Sequence, residues 1–322
     1  MKLTVSYLRI SETKVITKRI IHYENTNFLG RLHGGDMLSF LVDTGMIASM
    51  RVARGLAVIA SLDDVVFKKP IMLGDIIDIE AEVDYVGNTS MEVSMRALKG
   101  NETLVEATGT YVKVDEFLRP TIIENKIVPE TEEEFDKFNK ALHRRQEKAE
   151  SIKDRIKKRY DTSDPTVGLR YRSESTYFIT PEMTYDGKII SAGKLLKLMD
   201  DIGGALCLSY INYENYNPEN GAVVTVSVNS TSFYTPIRLS DIIKIRAGIS
   251  YVGSTSFEVI LNVIRLDTKN FVEEHVTTAY FNYVRIDKNG KPAKVKEYQP
   301  LTEEEKKAYM EALERRKKFI KM

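Results

Sequence analysis

One cysteine, no tryptophan and four histidines set the first limits on these 322 residues. A single thiol excludes a disulfide framework and any metal site built on cysteine. Cys207 stands in the apolar run Ala205-Leu-Cys-Leu208, where a packed thiol is the expected role. His22, His33, His143 and His275 show no metal-ligand spacing, so no metal is expected. Charge of one sign is also missing. The 47 Lys and Arg residues nearly cancel 46 Asp and Glu, which argues against nucleic acid as a partner. No apolar run is long enough to span a bilayer, and Met1-Lys-Leu-Thr-Val-Ser-Tyr-Leu-Arg9 meets charge before the apolar core of a leader develops. The expectation is a cytoplasmic protein with no membrane insertion, long enough for two domains.

The first feature present is Asn27-Phe-Leu-Gly30-Arg-Leu-His33-Gly34-Gly35. It reads as a polar side chain, a glycine turn and a helix start. Met37, Leu38, Leu41, Val42 and Ile47 give the following helix, expected to run to about Arg54, a wide apolar face. Gly34 and Gly35 place backbone N–H groups in its first turn, where they lack partners inside the helix and carry the positive end of its dipole. Taken alone, this is a glycine loop that lets a buried helix pack closely.

The sequence then repeats itself. Residues 1–23 read as strand. After the helix come strand-like segments at Ala57–Phe67, Asp75–Val86, Thr89–Leu98 and Thr103–Val114. Thr131-Glu-Glu-Glu134 reads as a capping box opening a charged helix to about Lys158. Asp161-Thr-Ser-Asp-Pro165 reads as a linker. Beyond it, Phe67-x-x-Pro70-Ile71-x-Leu73-x-Asp75 returns as Phe233-x-x-Pro236-Ile237-x-Leu239-x-Asp241. Tyr85-Val-Gly-Asn-Thr-Ser-Met-Glu-Val93 returns as Tyr251-Val-Gly-Ser-Thr-Ser-Phe-Glu-Val259, and Thr131-Glu-Glu-Glu134 as Thr302-Glu-Glu-Glu305. This is an internal repeat of two α+β units, each a sheet with one apolar helix on its face. The expected division is repeat 1 at 1–127, helix and linker at 128–165, repeat 2 at 166–298 and a closing helix at 299–322.

The Asn27-x-x-Gly30-x-x-His33-Gly34-Gly35 signature, its helix and the Val-Gly-x-Thr-Ser-Met-Glu-Val strand resemble the hotdog-fold acyl-CoA thioesterases. The tandem order is similar to the two-repeat cytosolic acyl-CoA hydrolases. The resemblance implies a tandem double hotdog, each repeat a curled antiparallel sheet around a central helix. It also implies hydrolysis of fatty acyl-CoA to free acid and coenzyme A, no cofactor, and a homotrimer of double hotdogs. A non-catalytic acyl-CoA-binding or sensing protein and a hotdog dehydratase are the rival readings. Release of free thiol from acyl-CoA separates them.

In such enzymes the working groups are an Asn or Gln before the helix, a glycine N–H at its start and an acid two turns in. The resemblance puts these at Asn27, Gly34 and Val42 in repeat 1, where the acid is missing. In repeat 2 it puts Asp200 opposite Val42, Gly193 at the helix start, and Thr184 or Tyr185 opposite Asn27. Each repeat lacks a different part. Gly34 and Val42 are about 12 Å apart along one helix, so an acid serving Gly34 must come from an antiparallel neighbour. One composite site is therefore expected, with Asn27, Gly34 and Asp200 catalytic and its mirror inactive. Gly35, Gly193, Ser90 and Ser256 are the expected substrate contacts, although a turn or strand role is the ordinary one for both serines. Asp43, Asp201 and His33 are expected to be structural.

Overall fold

The computed structural model of the chain describes residues 6–211 and 220–320. The first five residues of the expected opening strand lie outside these. Repeat 1 contributes strands β1 (Tyr7–Leu8), β2 (Val15–Ile20), β3 (Ala57–Leu62), β4 (Val65–Phe67), β5 (Ile76–Val86), β6 (Ser90–Lys99), β7 (Glu102–Lys113) and β8 (Lys126–Ile127). Repeat 2 contributes β9 (Arg172–Phe178), β10 (Ala222–Val228), β11 (Thr231–Ser232), β12 (Ile242–Val252), β13 (Ser256–Asp267) and β14 (Val272–Ile286). The helices are α1 (Gly34–Ala53), α2 (Glu132–Lys153), α3 (Arg155–Arg159), α4 (Ala192–Tyr210) and α5 (Glu303–Ile320). The single strand expected over residues 57–67 is broken at Asp63-Asp64. The charged helix expected to reach Lys158 is broken at Asp154.

The two sheets are one. Strands run β2-β5-β6-β7-β4-β10-β14-β13-β12-β9, with β3 bridging β7 and β11. The halves join at a pair of crossings related by a local twofold: Val65 lies opposite Val228, and Leu62 opposite Thr231. Two antiparallel sheets thus become one curled sheet with both central helices inside it. Met37, Leu38 and Leu41 of α1 and Leu196 and Met199 of α4 are fully buried there. Ile47, expected on the same face, is instead exposed. Helix α1 ends where Arg54 turns left-handed, at φ 50°.

Helices α2 and α5 open alike. Thr131 Oγ1 accepts the Glu134 N–H at 3.2 Å, and Thr302 Oγ1 accepts that of Glu305 at 3.1 Å. Each glutamate reaches back one residue beyond its cap, to the N–H of Glu130 and of Leu301. This satisfies donors at the helix start that have no partner inside it.

Two tyrosines tie the sheet to the central helices. Tyr111 O–H donates to the Val42 carbonyl at 2.8 Å, and Tyr283 O–H to the Asp200 carbonyl at 3.3 Å. These equivalent ties fix the correspondence of the repeats, and with it that of Val42 and Asp200.

Candidate active site

Helices α1 and α4 cross where their first turns meet the middle of the partner. The crossing is tight because it is built on glycine. A Cβ on Gly35 would lie 2.7 Å from Lys197 Cα, and one on Gly193 would lie 2.7 Å from Ser39 Cα. Only glycine allows backbones this near. The same close approach occurs twice, but what lies beside it differs.

On one side stands Asp200, fully buried. Its Oδ2 accepts the Gly35 N–H at 2.7 Å, and its Oδ1 accepts the Thr225 hydroxyl at 2.7 Å. A buried carboxylate needs such partners, and the N-terminal end of α1 supplies positive potential as well. The Gly34 N–H, one residue earlier, is in the first turn and has no acceptor among the described residues. His33 caps the same turn. Its Nδ1 lies 3.2 Å from Asp200 Oδ2, not aligned for a hydrogen bond, and its Nε2 lies 3.5 Å from Asp201 Oδ1. Burial pushes the Asp201 carboxyl upward in pKa, against the pull of His33 and Lys197.

On the other side the acid is Val42, buried and apolar. Ile59 stands where Thr225 stands, since Ile59 lies opposite Tyr111 in β7 as Thr225 lies opposite Tyr283 in β14. Ser191 replaces His33 and meets Asp43 at 3.4 Å, the counterpart of the His33–Asp201 contact. Burial raises the Asp43 pKa, while bonds from Ser39 and Ser191 lower it.

Asn27 lies in the loop before α1. Its Oδ1 accepts the N–H groups of Leu29 and Arg31 at 3.0 and 3.1 Å, which leaves the Nδ2 end as donor. No hydrogen bond joins Asn27 to Asp200 among the described residues. The loop it shapes leads into a cleft of about 160 Å3 lined by Arg31, Leu32, Met37, Lys68, Lys69 and Thr225, among others. The counterpart of Asn27 is Tyr185: the Asn27 N–H bonds to Arg31 as the Tyr185 N–H bonds to Ile189. Its loop-shaping bonds pass to Asp186, which accepts the N–H groups of Lys188 and Ile189.

The two serines fall elsewhere. Ser90 accepts a bond from Arg145, and Ser256 one from Arg316 at 3.1 Å. Both arginines come from the helices that close each repeat, and neither serine shares a hydrogen bond with the Asp200 cluster. The structure thus brings together Gly34, Gly35 and Asp200. It places Gly193 in the mirror crossing, Asn27 in the loop before α1, bonded within that loop, and Ser90 and Ser256 under the outer helices. Sequence reasoning missed Thr225 and gave His33 no part. Thr225 carried a signal: it is a lone polar residue in Val223-Val-Thr-Val226 whose counterpart is apolar.

Residues 29–106 and 187–271 match the thioesterase superfamily, one segment in each repeat and together just over half of the chain. The chain belongs to the thioesterase superfamily. The cytosolic acyl coenzyme A thioester hydrolase of Rattus norvegicus is 26% identical over 317 residues, covering 91% of this chain and 80% of that protein. The uncharacterized acyl-CoA thioester hydrolase YkhA of Bacillus subtilis is 35% identical over 143 residues, covering 42% of this chain and 83% of that one. An acyl-ACP thioesterase from Bacteroides thetaiotaomicron aligns over 86% of this chain and all of its own, with a TM-score of 0.53 at 9% identity, a likeness of fold alone. As in the sequence expectation, the thioesterase fold here is a tandem hotdog. The rat protein spans both repeats, and the B. subtilis protein matches less than half of the chain.

Proposed function

We propose that this thioesterase hydrolyses acyl-CoA to free acid and coenzyme A at one composite site, with Asp200, Asn27 and the Gly34 N–H as its working groups. The observation that carries the reading is the contact of Asp200 with the start of the other repeat's helix, set against Val42 and Ile59 on the mirror side. A thioester carbonyl under attack develops oxyanion charge. The Gly34 N–H, preset at a helix start, is placed to receive it. Asp200, held through both oxygens, either takes the proton of an attacking water or attacks the carbonyl itself. Asn27 Nδ2 carries no charge to lose and orients water or thioester. No step requires a metal or cofactor, and coenzyme A enters as part of the substrate.

The cleft beside Thr225 suits the rest of the substrate. Arg31, Lys68 and Lys69 line it, and their counterparts on the mirror side are Ile189, Tyr234 and Thr235. Lys68 and Lys69 form exposed pairs with Glu106 and Glu102, which are worth little and let both turn to phosphate. We place the coenzyme A phosphates there and the acyl chain between α1 and α4.

The chain divides into repeats at 1–127 and 166–298, joined by 128–165 and closed by 299–322. Its setting is cytoplasmic, and no described helix is long and apolar enough to cross a membrane. Three chains assemble around a threefold axis, a closed arrangement in which each chain already contains its own dimer. The two free sheet edges support assembly. Ile16 and Ile20 on β2 and Phe178 on β9 are exposed at strands whose outer sides are unpaired among the described residues. Light scattering should give a trimer, and a stable monomer would remove this part of the reading. The activity is tested by thiol release across a panel of acyl-CoA chain lengths. Release at some length is expected; none at any length would contradict it.

A further inference from the structure

Hydrolysis of a thioester near neutral pH yields a carboxylate, a thiol and one proton. That proton cannot leave from Asp200 directly, because its side chain is fully buried. His33 touches both this carboxylate and the solvent. Its Nδ1 is 3.2 Å from Asp200 Oδ2, and the ring is 28% exposed. Its Nε2 is 3.5 Å from Asp201, whose side chain is 45% exposed. The charged and titratable neighbours form a short set. Asp36 on α1 lies 3.9 Å from Nδ1 and is neutralised by Lys197 on α4. Tyr177 on β9 faces Asp201. Nδ1 is buried without an aligned hydrogen bond, so its position beside Asp200 is not spent on holding the loop.

The mirror crossing sharpens the point. Ser191 keeps the outer contact, to Asp43 at 3.4 Å, but a hydroxyl is not a base at this pH and the inner residue is Val42. Among the described residues, carboxylate, imidazole and carboxylate come together only beside Asp200.

We propose that His33 is the proton relay of this site, carrying the proton from buried Asp200 to solvent past Asp201. The inference rests on the hydrolase reading with Asp200 as base. Water attacks the carbonyl carbon, forming a C–O bond and giving one proton to Asp200. The C–S bond breaks and sulfur leaves with the bonding pair. The new carboxylic acid gives its proton to that thiolate. The His33 ring turns to align Nδ1 with Asp200 Oδ2 and takes its proton, and Asp201 holds the resulting imidazolium through Nε2–H. The ring turns outward, Nδ1 releases the proton to water, and neutral His33 and ionised Asp200 are restored.

The test compares wild type, His33→Ala and His33→Gln in acyl-CoA hydrolysis, with and without added imidazole, and with thermal stability measured in parallel. Both variants should lose about 10²-fold in kcat, the lower end for a positioned acid or base, with little change in KM. Imidazole should restore much of the loss in His33→Ala, where a space is left, and little in His33→Gln. His33→Gln keeps a polar side chain at the helix start and guards against a loss of folding. Three results would overturn the relay: near wild-type kcat in His33→Gln, a loss in His33→Ala that imidazole does not relieve, or solvent 18O entering Asp200 in a single turnover. The last would make Asp200 the nucleophile. A wild-type protein that releases no thiol would instead sink the hydrolase reading, and the relay with it.

Discussion

Asp200 and Gly35 belong to different repeats, yet the carboxylate of one accepts the backbone N–H of the other at 2.7 Å. The contact binds the acid to a helix start it could not reach along its own helix. Replacing Asp200 by Asn keeps size and much of the hydrogen bonding but removes the base. It should lower kcat about 10²- to 10⁴-fold with little change in KM, as for loss of a group needed only in the transition state. Steady-state kinetics check this. If turnover survives Asp200→Asn and is abolished by Asp201→Asn, the acid has been assigned one residue off.

Thr225 holds the other oxygen of Asp200. Thr225→Val keeps the shape and deletes a bond to a charged group, worth about 1.5–3 kcal/mol. A kcat loss on the order of tenfold or more is expected. Ile59→Thr, the same exchange in reverse on the mirror side, should leave turnover unchanged. Val42→Asp should create no second activity and should lower thermal stability, because it buries a carboxylate among apolar side chains.

The paired glycines separate packing from chemistry. A Cβ at either position must push against the backbone of the partner helix, an overpacking cost of about 1–3 kcal/mol. Gly35→Ala and Gly193→Ala should therefore lower thermal stability alike. Only Gly35→Ala should also lower kcat, since it displaces the N–H that holds Asp200. Equal kinetic losses in both would argue for two working sites.

Much of this was legible because the chain is written twice. Matching the two helix starts puts Asp200 opposite Val42, and the resemblance to the thioesterases marks the acid that repeat 1 lacks. A single Thr in a Val-rich strand is ordinary, so the signal of Thr225, an apolar counterpart at Ile59, gains its meaning when the pairing of β10 with β14 sets it beside Asp200. His33 reads as structural in the sequence because its counterpart is Ser191. That comparison could not reveal that a histidine there spans two acids of the other repeat. Ser90 and Ser256 were read from their recurrence after a hairpin turn, but recurrence marks shared architecture as readily as shared chemistry. Here it marks the seats of Arg145 and Arg316.

Away from the site, Asp84 makes stability depend on pH. It is buried beneath α2, and burial raises its pKa to about 7 against the opposing pull of Ser94 and Arg144. A carboxyl whose folded pKa is raised favours folding in its neutral form. Its penalty is absent below the unfolded value of 3.8, grows as pH rises, and is complete above about 7. Asp84→Asn should leave thermal stability nearly unchanged near the lower limit and raise it at mildly alkaline pH. The gain should grow between these limits by up to about 1.4 kcal/mol per pH unit. A gain that is equal at both ends, or a loss at the alkaline end, would contradict the burial effect.

The most direct measurement is the double-mutant comparison across the repeats. kcat/KM is measured for wild type, Asn27→Ala, Asp200→Asn and the double variant on one acyl-CoA. If Asn27 from repeat 1 and Asp200 from repeat 2 serve one carbonyl, each single change disables the same unit, and the double variant should be little worse than the poorer single one. Two modest losses that simply multiply would mean that the residues act independently, and the single composite site would be wrong.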